Sequence, residues 1–227
     1  MARTIHALAK QIEGCEQCPR LRAWCTQVAE EKRAAYREET YWGKPVPGFG
    51  DPQAKIFIVG LAPGAHGANR TGRMFSGDRS GDWLYGAMHR AGLANQPTSV
   101  GRGDGLELRQ AYVTNIVRCA PPDNKPTTGE RDACIDYFYE ELRLLKQIRV
   151  FIALGGFAWD GILRALAAQG HRVKPKPRFG HAAEVQVGPY TLIGSYHPSQ
   201  QNTFTGRLTE PMFDRVFHLA KKRAECN

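Results

Sequence analysis

Apolar residues in this chain gather in short runs separated by longer stretches of helical spacing. Ile56 to Val59, Ala111 to Val117 and Val150 to Leu154 are compact, largely apolar runs, the mark of strands buried on both faces. Between them, Trp83, Leu84, Ala87, Met88 and Ala91 recur at helical spacing within Asp82 to Leu93. Cys134, Phe138, Leu142 and Leu145 share one stripe of Arg131 to Gln147. Phe157 to Ala168 and Glu210 to Ala224 read as two further helices, and Glu184 to Val187 with Tyr190 to Ile193 as a short hairpin or bent final strand. Residues 1–40 read as helical, interrupted at Gly14-Cys15-Glu16-Gln17-Cys18-Pro19. Tyr41 to Pro52 and Asn95 to Gly105 read as loops. Strands alternating with helices predict a mainly parallel sheet covered on both faces. No repeat, low-complexity tract or linker divides residues 1–227, so one domain is expected.

The strand Ile56 to Val59 breaks into Gly60-Leu61-Ala62-Pro63-Gly64-Ala65-His66-Gly67-Ala68-Asn69-Arg70-Thr71-Gly72. A glycine-rich loop at the carboxyl edge of an open α/β sheet is where ligands bind, and its backbone N–H groups can approach a ligand closely. No Gly-Lys-Ser/Thr closes it as a P-loop requires, and its spacing is not that of a dinucleotide fingerprint. The loop marks a ligand site, or else a structural turn, without naming the ligand.

The remaining chemistry narrows the class. No run approaches the roughly 18 apolar residues of a membrane span, and Met1 to Leu8 lacks a signal peptide's apolar stretch; a cytoplasmic protein is expected. A formal charge of +9 favours polyanionic partners through phosphate neutralisation. Its densest stretch, Arg172-Val173-Lys174-Pro175-Lys176-Pro177-Arg178, is an exposed loop by its prolines, suited equally to phosphate contact and to plain solvation. Cysteines without a secretory signal point to metal or cluster ligation rather than disulfides. Cys15 and Cys18 form a Cys-x-x-Cys pair, joined by Cys119 after the second strand and Cys134 in the next helix. Four such thiolates suit zinc or an iron–sulfur cluster. Cys25 and Cys226 are left as free thiols.

Three loops gather at strand ends: Gly60 to Gly72, Thr114 to Cys119, and Tyr196-His197-Pro198-Ser199-Gln200-Gln201-Asn202. With the four cysteines, this set resembles the uracil-DNA glycosylase superfamily, and most closely its family 5, the iron–sulfur-containing type B enzymes. The resemblance runs from Cys15 to the final helix. It implies a three-layer α/β/α fold with a central four-stranded, mainly parallel sheet, and a [4Fe-4S] cluster on Cys15, Cys18, Cys119 and Cys134. It further implies excision of uracil from DNA in base-excision repair, by a monomer.

Such an enzyme extrudes the nucleotide into a pocket, here expected from Gly60, Ala62, Pro63, Gly64, Ala65, His66, Phe75 and Asn115. Phe75 sits where related enzymes place a stacking ring. Asn115 offers both a donor and an acceptor to the polar edge of uracil. His197 is the expected donor to the charge that develops on the leaving base, and His66 either lines the pocket or orients its loop. Leu61 to Gly67 contains no carboxylate or amide to position water, as in family 5. That leaves backbone carbonyls, His66 or Asp78 for the water, and a roomier pocket that admits hypoxanthine. Arg70, Arg73, Arg79 and Arg207 are the expected phosphate contacts, and Phe204 is either a wedge entering the duplex or a loop-packing residue. No lysine stands out as a Schiff-base nucleophile, so monofunctional chemistry is expected. A zinc-stabilised nucleic-acid-binding protein and an iron–sulfur electron carrier are the competing readings.

Overall fold

The computed structural model describes residues 2–226, for Cys226 the backbone alone, so the spare thiol expected there lies outside the described residues. The strands are β1 Phe49–Gly50, β2 Ile56–Gly60, β3 Ala111–Asn115, β4 Val150–Leu154, β5 Glu184–Val187 and β6 Tyr190–Ser195. The helices are α1 Ile5–Glu13, α2 Pro19–Glu31, α3 Ala68–Thr71, α4 Arg79–Arg90, α5 Thr128–Leu144, α6 Gly156–Ala168, α7 Gln200–Phe204 and α8 Glu210–Cys226. The strands form one sheet in the order β1-β3-β2-β4-β6-β5.

The four inner strands are parallel, β3 and β4 both flanking β2, with β6 beside β4. That is the expected sheet. It is extended to six strands by antiparallel edges, β1 on β3 and β5 on β6. β1 has two residues, too few to show a period, and it lies in the stretch read as loop. β5 is the first arm of the expected hairpin.

Every residue of β2, β3 and β4 is buried, as expected for strands covered on both faces. The period of two divides them between layers. Ile56, Ile58, Val113 and Ile152 meet Leu84, Met88, Phe213 and Phe217 from α4 and α8. Phe57, Val59, Tyr112 and Phe151 meet Phe138, Leu142, Trp159 and Ile162 from α5 and α6. Because β3 and β4 both adjoin β2, successive connections leave β2 in opposite directions and open a crevice at the carboxyl ends of the strands.

The N-terminal helices are shorter than the sequence suggested. After the break at Gly14 to Cys18, α2 starts with Pro19 at its first position and stops at Glu31, where Lys32 takes φ +55°. α4 and α5 begin earlier than expected because side chains cap them. Asp78 accepts from Gly81 N at 3.0 Å, and Thr127 with Glu130 forms a capping box. Among the described residues no helix is long and apolar enough to cross a membrane.

Candidate active site

A cavity of about 700 Å³ opens at the carboxyl ends of β2, β3 and β6. It is lined by the loop Leu61 to Gly67, by Phe75, Asp78 and Arg79, by Asn115, and by His197 with Ser199 to Gln201. A groove of similar size, about 680 Å³, lies between α4 and α8. There Arg90 is bonded to Asp214 and Lys221 to the Ala91 carbonyl, so two of the three Arg and Lys side chains lining it are already engaged.

Asn115 ends β3 almost wholly buried. Its Nδ2 donates to Met74 Sδ at 2.9 Å, a weak acceptor, and its Oδ1 has no partner. An orphaned buried polar atom costs roughly 1–3 kcal/mol. It is tolerated where a ligand will satisfy it.

Phe75 is buried at φ +53°, an unusual backbone for a bulky side chain, and this turns the ring into the cavity. Gly60 is absent from the lining. A Cβ there would fall 2.3 Å from Asn115 Oδ1 and 2.6 Å from the Phe75 ring. Its role is therefore to leave room for those two lining side chains from behind, and the expectation that it would line the pocket is corrected accordingly.

His197 is half-buried on the opposite wall, its ring 5.9 Å from that of Phe75. Asn202 Nδ2 donates to its carbonyl at 2.9 Å, and Gly155 N donates to Ser195 O at 2.9 Å, so both sides of the loop are tied down. Although part of the ring faces the cavity, burial leaves an imidazolium so poorly solvated that its pKa falls to about 4. At neutral pH the ring is uncharged, one nitrogen a donor and the other an acceptor.

His66 is engaged at both ends. Its Nδ1 lies 3.0 Å from Tyr41 Oη, and its carbonyl accepts from Arg70 Nε at 2.8 Å. It both lines the cavity and orients its loop. Asp78 sits beneath that loop, and a Cβ on Gly67 would fall 2.0 Å from its Oδ2. Only glycine fits there. Burial raises the Asp78 pKa above the usual carboxylate value. The sequence ranked Asp78 only as one option for holding water, and the fold makes it a carboxyl group in the wall of the cavity.

Residues 47–221 match the family model of the uracil DNA glycosylase superfamily. The chain belongs to the uracil-DNA glycosylase superfamily. A type-5 uracil-DNA glycosylase of Mycobacterium tuberculosis is 53% identical over 98% of this chain and 83% of its own length. A type-5 uracil-DNA glycosylase of Thermus thermophilus is 50% identical over 96% of this chain and 97% of its own. A type-4 uracil-DNA glycosylase of Pyrobaculum aerophilum is more distant, at 31% over 86% of this chain and 83% of its own.

Two of the arginines that the sequence put on DNA are instead inside this glycosylase fold. Arg70 is buried, pairs with Glu39, and donates to the His66 and Gly77 carbonyls. Arg73 is buried, pairs with Asp104, and donates to Ser99 Oγ at 3.2 Å. Their donors hold the site loops together, which corrects the expectation of phosphate contact. Arg207 and Arg79 are exposed, the first over the Tyr196 ring at 4.6 Å and the second over Phe204 at 4.6 Å. Phe204 is 67% exposed, which removes the loop-packing reading of that residue.

The cysteines of the glycosylase come from three segments. Cys15 and Cys18 flank the break between α1 and α2, half-buried, while Cys119 and Cys134 are buried. Cys134 Sγ accepts from Arg118 N at 3.3 Å. Burial and neighbouring thiols together raise the pKa of Cys18, Cys119 and Cys134; this shared resistance to ionising is what a cationic centre reverses. Among the described residues no three His, Cys, Asp or Glu side chains stand ready-made around a metal position. The donor set nevertheless fits a soft, thiolate-bound group. Cys25 is packed into the core, donating to the Ala120 carbonyl at 3.5 Å and lying within hydrogen-bond reach of Cys119.

Proposed function

We propose that the protein is a monofunctional DNA glycosylase that flips uracil out of DNA, hydrolyses its N-glycosidic bond and leaves an abasic site. The observation that carries this reading is the Asn115 carboxamide, buried in the cavity wall with an unpartnered Oδ1. That acceptor suits the N3–H of a flipped uracil, a group that thymine shares but cytosine lacks. Phe75 supplies a stacking face.

As the C1′–N1 bond breaks, negative charge gathers on the departing base. A neutral His197 donates a hydrogen bond to it without first having to lose or gain a proton. Preorganised donors of this kind are worth about 10²–10³ in rate. Asp78 holds the attacking water. His66, the other side chain considered, already has Tyr41 at its Nδ1, whereas burial leaves the Asp78 carboxyl a better base than an exposed one. The absence of a carboxylate or amide in Leu61 to Gly67, in a cavity of about 700 Å³, supports acceptance of hypoxanthine as well.

A [4Fe-4S] cluster on Cys15, Cys18, Cys119 and Cys134 belongs to the same proposal. When bound it supplies a cross-link among α1–α2, α5 and the segment following Asn115. That segment, four residues beyond Asn115, packs against α2, where Cys25 donates to the Ala120 carbonyl.

The test is base release from duplexes carrying uracil opposite guanine, or hypoxanthine, with strands resolved before and after alkali. Alkali-dependent breaks at uracil are expected, and breaks at hypoxanthine test the wider pocket. No release by protein that still binds DNA overturns the proposal.

A further inference from the structure

With Arg70 and Arg73 turned inward, the cations that face the DNA backbone lie elsewhere, and the basic stretch after α6 is placed to supply them. Residues 171–183 climb the outside of the domain from one end of the strands to the other. At the lower end His171 packs on the Gly188 turn and against Tyr190, with ring centroids 5.8 Å apart. At the upper end Phe179 lies against Trp159 at 6.0 Å and Tyr196 at 6.3 Å. His181 Nδ1 there accepts from Tyr196 N at 3.2 Å. Tyr196 directly precedes His197.

The upper half of this strap is held rather than loose. Trp159 Nε1 donates to Pro177 O at 3.1 Å, between the exposed side chains of Lys176 and Arg178. Lys176 pairs with Asp160 at 2.7 Å, both partners more than half exposed. Such a pair is worth about 0–1 kcal/mol, so a phosphate can displace it. Arg178 has no carboxylate within 4.0 Å among the described residues. Tyr196, on which Phe179 rests, also carries Arg207 over its ring. Arg178 directly precedes the Phe179 that rests on Tyr196, Arg207 lies over that same ring, and Lys176 reaches Asp160 of α6. Arg172, equally exposed, sits at the far end beside His171.

We infer that Lys176 and Arg178 grip the phosphate backbone beside the flipped nucleotide, extending along the strap a contact begun by Arg207. This rests on the reading that duplex DNA is the substrate. The contact is electrostatic and indifferent to base identity. Anchoring by Trp159 and Phe179 lowers the entropy lost when the strap engages DNA.

The test is equilibrium binding of the full-length protein to undamaged duplex across a salt titration. Each phosphate contact contributes about 0.9 to the slope of log K against log salt. Arg178→Gln is expected to reduce the slope by about 0.9 and Lys176→Gln with Arg178→Gln by about 1.8. Between roughly 50 and 200 mM salt, the double variant then loses about twelvefold less affinity than wild type. Arg172→Gln should leave the slope unchanged and release uracil at the wild-type rate. An unchanged slope in the double variant, or an equal fall in Arg172→Gln, overturns the proposal. Failure of wild type to release uracil would refute the proposed activity instead, and leaves the slope measurement on undamaged DNA intact.

Discussion

Protonating His197 should weaken the fold and its removal should abolish that weakness. The imidazole pKa falls from 6.5 to about 4 on folding because its charged form is poorly solvated. Above pH 6.5 the ring is neutral in both states, so its contribution to stability is fully present. As pH drops, the unfolded chain takes up a proton that the folded protein refuses, and stability declines until the pH reaches about 4. With about 1.4 kcal/mol per tenfold change in proton affinity, the whole loss is about 3.4 kcal/mol, of which about 2.6 has occurred by pH 4.5. In urea unfolding at pH 7.5 and at pH 4.5, wild type should therefore lose about 2.6 kcal/mol more than His197→Gln. The same neutrality predicts that single-turnover uracil release shows no decline as pH rises through 6.5, whereas an imidazolium donor would titrate away. Equal acid sensitivity in the two proteins, or a wild-type rate that halves as pH rises through 6.5 while that of His197→Gln does not, would refute the reasoning.

Asn115→Ala should lower uracil release by about 5- to 150-fold, given roughly 1–3 kcal/mol for a well-placed polar pair, while affinity for undamaged duplex in the same titration stays within twofold. Asp78→Asn retains an N-cap residue of nearly equal quality, so its unfolding midpoint should hardly move while base release falls; wild-type rates in single-turnover assays would remove the carboxylate from the chemistry. Arg73→Gln takes the ion partner from Asp104, which keeps its bonds from Ser99 Oγ and the Val100, Gly101 and Leu106 backbone, and should destabilise by about 1–3 kcal/mol, whereas Arg207→Gln should leave stability within about 0.5 kcal/mol and weaken DNA binding, as chemical unfolding and anisotropy would show. Cys134→Ser should reduce bound iron, read by chelator assay and visible absorbance; full iron content would take Cys134 out of the ligand set.

The parallel core and the place of the site were legible in the order of residues alone. Ile56 to Val59 and Val150 to Leu154 can be read as strands because those buried on both faces must be apolar throughout. The loops that follow are legible because glycine, proline and His197-Pro198 interrupt those runs at their carboxyl ends. Burial and pairing were not legible, since they depend on partners distant in the chain. Arg70 and Arg73 look like surface cations until folding brings Glu39 and Asp104 to them, each 31 residues away. Asp78 became a wall of the cavity only when Gly64 and Gly67 settled over it. β1 is held by backbone bonds to β3 and has no side-chain pattern of its own. Local sequence dictates which segments are strands, helices and turns, because that choice depends on nearest-neighbour sterics and hydrophobic period. The charge state of His197, the unpartnered oxygen of Asn115 and the direction in which each arginine points depend on solvation and neighbours that exist only once the chain has packed.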